Sequence, residues 1–308
     1  MTTIDESQQQ SNLADTFVRV EGECIKSFST LLSQAHDEFN YLNMRRLYVL
    51  TKGQSAIRIN KSINKLYGDG DQSTQSKAIC ESLVKGGGYL SARLYNHEPD
   101  MDDICNMLDN YGEVNEGSSR AWVREWSILK QNKLVREISR NPLYRQVADE
   151  YLGCKSILNS VVAWKTSYNE INDESRLTRD ALMFHFDLDT NRLLKIFVYL
   201  SDVDEKCGPH TYIEDTNATS RFKLPQPLQR DGRLKSSEVI NCGLVPKYVV
   251  GERGTILFGD TTNLHKGTPV RLNNSRYILQ LVFVDSIFGA KNSNSADDLM
   301  DMNHGIER

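Results

Sequence analysis

The stretch FHFDLDTNRLLKIFVYLSDVDEKCGPH, residues 184–210, decides the fold. Its first part alternates: Phe184, Phe186 and Leu188 are apolar, and His185, Asp187 and Asp189 fill the positions between them. On an extended chain residues two apart share a face, about 6–7 Å along the strand. His185 and Asp187 therefore project together, with Asp189 in the same parity one step further out. The run that follows, LLKIFVYL, is apolar on both faces except for Lys195. A strand of that kind belongs to a sheet covered on both sides. An ionisable pair thus stands at the edge of what reads as the most buried sheet of the chain.

Outward from this stretch the texture differs on the two sides. Downstream and immediately upstream lie ILNSVVAWKTSY, ALMFHFDL, PHTYIE, KYVVG, GTILFG and RYILQLVFVD, short and rich in β-branched and aromatic residues, with turn residues between them. From about residue 15 to 155 the chain reads mainly as helices. Phe28, Ala35, Phe39 and Leu42 recur at helical spacing, and Asn141, Pro142 and Gly153 fit the cap, first position and stop of one helix. KGGGY at 85–89 is a break, with a short strand expected around YLSARLY. The expected class is α+β: a jelly-roll or cupin-like barrel with packed helices, mostly N-terminal. The expected organisation is a single domain over 15–290, helical over 15–155 and β over 157–288, between mobile polar ends at 1–14 and 291–308. The connection 214–246 has few strand signals. Connections that long are either solvated insertions or cover a substrate.

Bulk properties exclude several classes. The net charge is −4, with no basic stripe, so no nucleic-acid partner is expected. No run of about 18 apolar residues exists to span a membrane. The start MTTIDESQQQ lacks the basic and apolar segments of a secretory signal, so the expected compartment is the cytoplasm. Six cysteines occur without a CxxC pair, which points to free thiols rather than a zinc ribbon or a disulfide scaffold. Oligomeric state is not legible.

A buried carboxylate beside an imidazole is costly unless something pairs with it. A divalent metal does so, and two histidines with one carboxylate on one face of an octahedron suit non-haem Fe(II). Of the six histidines, His36 lies in an expected helix, His97 beside an acidic loop and His304 in the tail. His265, closing GTILFGDTTNLH, is the better second histidine; His210, after CGP, suits a turn or a supporting role. Arg276 opens the last strand on the same face as Ile278 and Gln280, and no carboxylate lies near it in sequence. An arginine so placed suits bidentate pairing with a ligand carboxylate. Lys195 points either into the barrel or to solvent.

FHFDLD, LLKIFVYLSDVDEKCGPH, GTILFGDTTNLHKGTP and Arg276, in that order, resemble the phytanoyl-CoA dioxygenase family of Fe(II)- and 2-oxoglutarate-dependent oxygenases. The likeness is clear from about 120 to 288, and the histidine and arginine eleven positions apart are its specific part. It implies a double-stranded β-helix, with iron on His185, Asp187 and His265 and the distal carboxylate of 2-oxoglutarate on Arg276. Thr268, Lys195 and Gln280 are further candidates for holding the cosubstrate. Dioxygen and a small-molecule substrate complete the implied set, with succinate and carbon dioxide as products. Members often run from GPH to GSH; here GPHTYIEDTNATS follows, so no substrate class carries over. Many place a small hydroxyl residue where Gly267 stands, with Thr268 next. Related halogenases replace the carboxylate that Asp187 provides, which favours hydroxylation, desaturation or ring formation. Two other classes compete. One is an inactive jelly roll that only binds a ligand, which has no need of all four site residues. The other is a zinc hydrolase on the same three ligands, which gives Arg276 no purpose.

Overall fold

The computed structural model describes residues 74–86, 89–93, 98–114, 118–168, 177, 181–187, 193–217, 223–228, 233–285 and 296–303. The expected helical face from Phe28 to Leu42, the N-terminal tail, Asp189, His36, His97 and His304 lie outside them.

The helices are α1 (Thr74–Lys85), α2 (Glu98–Tyr111), α3 (Trp126–Leu129), α4 (Lys133–Ser139), α5 (Pro142–Leu152), α6 (Ser236–Asn241) and α7 (Ala296–Asn303). The strands are β1 (Tyr89–Arg93), β2 (Glu113–Val114), β3 (Arg120–Val123), β4 (Ile157–Ser167), β5 (Leu193–Tyr199), β6 (His210–Tyr212), β7 (Lys247–Val249), β8 (Thr255–Gly259), β9 (His265–Gly267) and β10 (Ser275–Val284). Helix α5 begins and ends as its sequence dictates: the Asn141 side chain accepts from Leu143 N, Pro142 takes the first turn, and Gly153 stops it at φ 67°.

The strands form a seven-stranded antiparallel sheet, β1-β8-β5-β10-β4-β3-β2, and a three-stranded one, β7-β6-β9. From β4 onward the chain alternates between them. It leaves β4 for a bridge at His185 to β9, returns to β5, crosses to β6 and β7, and then visits β8, β9 and β10 in turn. That alternation is the jelly-roll pattern. The described sheets stay open rather than closing into one hydrogen-bonded barrel. One expectation needs correction. ALMFHFDL is not a regular strand: among its described residues only Phe184 and His185 make bridges. The described residues from 74 to 155 are mainly helical, with β2 and β3 extending the large sheet beside β4.

Strand parity sorts the large sheet. Leu194, Ile196 and Val198 face the helices and join one core with Leu83, Leu108 and Val147. Phe197 and Tyr199 face the small sheet, packed with Trp164, Leu257 and Ile278. The central strand β5 is thus buried on both faces, as its apolar run requires. The connection 214–246 is no solvated insertion where it is described. Leu228, Leu234 and Val239 are fully buried against Phe184, Ile213 and Leu264, covering the outer side of the small sheet.

The C-terminal end also departs from expectation. Residues 296–303, expected within a loose tail, form α7, with Leu299 and Met302 buried. The Asn303 side chain clips it to the start of β4, accepting from Leu158 N and Arg145 Nη2 and donating to Leu158 O. Asn303→Ala strands these partners. It is expected to cost about 1–3 kcal/mol in chemical denaturation; an unchanged midpoint would contradict this role for α7.

Candidate metal centre

His185 and His265 face each other across the small sheet. Their backbones exchange two hydrogen bonds, both 2.9 Å, and their rings lie 4.3 Å apart. Asp187 N donates to Thr261 O at 2.9 Å, which ties the carboxylate to the loop before His265. That loop is itself braced. Asp260 accepts from Thr262 N and from the Tyr151 hydroxyl, and Asn263 Oδ1 accepts from Thr216 N. The three side chains are therefore placed by backbone pairing rather than by one another. His185, Asp187 and His265 each bring one ligand atom, all within 4.8 Å of one another.

The tautomers are set by hydrogen bonds. Nδ1 of His185 lies 2.9 Å from Met183 O, and Nδ1 of His265 lies 2.9 Å from Asn263 O. A carbonyl can only accept, so each Nδ1 carries the proton and each Nε2 presents a lone pair. Both Nε2 atoms face Asp187, at 3.8 Å from Oδ1 for His185 and 3.5 Å from Oδ2 for His265. Burial lowers both imidazole pKa values, His185 well below the ordinary value, so both rings stay neutral. Burial pushes the Asp187 carboxyl up. The Lys195 ammonium outweighs that and holds it well below the usual carboxylate range. Two neutral nitrogens and one carboxylate oxygen, each oriented from behind, form a set of donors ready for a divalent metal.

Lys195 resolves toward the interior. It extends from β5, where it lies beside Gly259 and Val282, and its Nζ donates to Asp187 Oδ2 at 2.6 Å. Both side chains are 17% exposed. Lys195 therefore meets the Asp187 carboxylate directly and braces it from the opposite sheet.

Arg276 is 2% exposed, and its Nη1 donates to the Gly208 carbonyl. Gly208 has φ 76°, and a Cβ there would fall 2.4 Å from Thr268 O, so the CGPH turn fits only with glycine. Burial lowers the Arg276 pKa. Among the described residues no carboxylate makes an ion pair with Arg276, and its Nε is buried without an acceptor. Gln280, four positions on, lies opposite Phe197 and Val162 on the same inner face, only partly buried. The Thr268 hydroxyl lies 2.7 Å from that of Thr211, and Gly267 takes the inward position. His210 stacks on His265 at 5.5 Å but does not join the three ligands.

Two arginines escaped the sequence reading. Arg120 lies in register with Thr166, which in turn opposes Arg276, so the three form one row across β3, β4 and β10. A Cβ on Gly267 would stand 3.3 Å from Arg120 Nη2 and 3.6 Å from Arg276 Nη2. Two guanidinium groups thus flank the glycine two residues after His265. The second is Arg233, half-buried in the 214–246 connection and acting electrostatically on His185 and His265. Strand alternation could have suggested Arg120, but only if RAWV had been read as a strand. Nothing local marks Arg233.

No protein-family model and no curated protein matches the chain. Among solved structures it is similar to the non-heme alpha ketoglutarate dependent epimerase SnoN from nogalamycin biosynthesis, at 14% identity and TM-score 0.49, over 68% of this chain and 84% of that one. It is similar also to HygX from Streptomyces hygroscopicus with nickel and 2-oxoglutarate bound, at 11% and 0.48, over 68% and 86%. A further likeness is to EctD from S. alaskensis with bound Fe, at 12% and 0.49, over 70% and 79%. Identity this low carries no residue role from those proteins to this chain.

Replacing Lys195 tests the brace. Lys195→Met leaves a buried carboxylate without its cation and is expected to destabilise the metal-free protein by up to about 3 kcal/mol. Added Ni(II) should then raise the melting temperature of the variant more than that of the wild type. Equal metal-induced shifts would detach Lys195 from the centre.

Proposed function

We propose that the chain is a non-haem Fe(II)- and 2-oxoglutarate-dependent dioxygenase that oxidises an unactivated C–H bond of a small molecule. One observation carries this. The three ligands His185, Asp187 and His265 sit beside a fully buried arginine, Arg276, for which no described carboxylate supplies a partner. The metal alone explains the three ligands; a cosubstrate carboxylate explains the arginine as well.

His185 and His265 would hold Fe(II) through Nε2 and Asp187 through one oxygen, while Lys195 keeps the other. Bound Fe(II) and 2-oxoglutarate supply the oxidising chemistry, consuming dioxygen and releasing succinate and carbon dioxide as the C–H bond is hydroxylated, desaturated or drawn into a ring. The protein's share is placement. Arg276 and Arg120 flank Gly267 and offer donors to the distal carboxylate of 2-oxoglutarate, and the missing side chain at Gly267 leaves room for it to approach. Phe197, Ile278 and Trp164, packed together on the inner face of the large sheet, would help keep water from the reacting atoms.

Fe(II) with 2-oxoglutarate under anaerobic conditions should develop a weak visible charge-transfer band in wild type. His185→Ala is expected to lose it, and an unchanged band would remove His185 from the metal. Arg276→Met should weaken 2-oxoglutarate binding to the Ni(II)-loaded protein by about 2–5 kcal/mol, read by calorimetry. Unaltered affinity would exclude Arg276 from the cosubstrate site.

A further inference from the structure

We propose that Arg233 anchors an oxyanion, a carboxylate or phosphate group, on the prime substrate, which meets the metal ligands from the side of the 214–246 connection. The inference rests on the oxygenase function proposed above and adds the chemical class of the substrate.

Register places the residue. Phe184 and Leu234 exchange both backbone hydrogen bonds, at 3.0 and 2.8 Å, as an isolated antiparallel bridge. One step along the same pairing sets Arg233 opposite His185. Directly opposed residues share a face, with Cβ atoms about 4.5–5.5 Å apart. His185 in turn opposes His265. Arg233, His185 and His265 therefore make one row across the inner face. Electrostatics agree with that placement: the Asp187 carboxylate acts on the Arg233 guanidinium, which acts in turn on both imidazoles.

The guanidinium has donor capacity to spare. Its Nη1 is sealed from solvent and has no acceptor. A buried donor left unmet costs stability, and the anchoring of the connection into the apolar layer is supplied by Leu228, Leu234 and Val239. The 2-oxoglutarate carboxylates are met elsewhere, by the metal and by Arg276. Arg276 and Lys195 act on His210, whereas Arg233 acts on His185. With a divalent metal and the cosubstrate dianion in place, Asp187, Lys195, Arg233 and Arg276 leave the site positive. An anionic group on the substrate balances that surplus, and a bidentate pair with Arg233 fixes the substrate's orientation over the metal.

The test uses the whole chain loaded with Ni(II) and saturating 2-oxoglutarate, which occupies the metal and Arg276 without turnover. Calorimetry follows titration with alkyl and aryl monocarboxylates, each matched by its primary amide, and with inorganic phosphate. Acids should bind about tenfold or more tightly than their amides. Arg233→Gln should abolish that contrast and leave 2-oxoglutarate affinity unchanged, while Arg233→Lys retains part of it; melting curves verify that both variants fold. Phosphate that competes with the acids marks a general oxyanion site, and phosphate that does not marks a carboxylate site. The proposal is overturned if acids and amides bind alike, if no acid binds at millimolar concentration, if the contrast survives Arg233→Gln, or if that variant loses 2-oxoglutarate instead. Wild type that fails to bind 2-oxoglutarate would sink the oxygenase function alone. The acid–amide contrast would then be read on the Ni(II)-loaded protein.

Discussion

A carboxylate buried between two imidazoles has to be met by positive charge, and in this chain Lys195 meets it across the space between two sheets. The 2.6 Å contact from Lys195 Nζ to Asp187 Oδ2 reaches inward from β5, an interior strand of the large sheet between β8 and β10. It also needs the segment at 181–187 pinned to β9, because Asp187 has no strand of its own. The pair of hydrogen bonds between the His185 and His265 backbones and the brace from Tyr151 to Asp260 supply that. Much of the polar framework of the jelly roll thus converges on keeping one carboxylate ionised where water is scarce. Such a group is expensive for a fold that only packs, and it suits one that holds a metal.

Charge is arranged on two sides of the centre. Arg276 and Arg120 flank Gly267 from the large sheet, while Arg233 stands in the row of His185 from the outer connection. The asymmetry comes from topology. The large sheet brings together strands far apart in sequence, and the 214–246 connection returns only far enough to pair Leu234 with Phe184. The oxidation proposed above would use such a division, with one anion site for the cosubstrate and a separate handle for the molecule to be oxidised.

How much of this is legible in the sequence depends on whether a feature is local. Parity alone puts His185 and Asp187 on one face, and it works although the segment is not a regular strand, because any extended chain alternates. The caps of α5 are equally local, and Asn141, Pro142 and Gly153 behave as their chemistry requires. Lys195 is ambiguous in sequence because β5 is apolar on both sides, so only the packing of helices on one face and the small sheet on the other assigns it. For Thr268 the sequence shows only a hydroxyl near His265, and β9 adds that Gly267 points inward while the Thr268 hydroxyl meets Thr211. Arg120 and Arg233 owe their positions to pairing partners some 40 or more residues away, and no periodicity records that. The buried anchors Leu228, Leu234 and Val239 follow neither the period of a strand nor that of a helix, so the connection reads as loop.

The central claim is that one divalent metal is held by His185, Asp187 and His265, with Lys195 retaining the second carboxylate oxygen. Anomalous diffraction at the iron edge from crystals grown anaerobically with Fe(II) tests it most directly. The account predicts a single peak among both Nε2 atoms and one Asp187 oxygen, with the Lys195 ammonium still on the other oxygen. No peak there, or a peak bounded by His210 in place of either histidine, would contradict it.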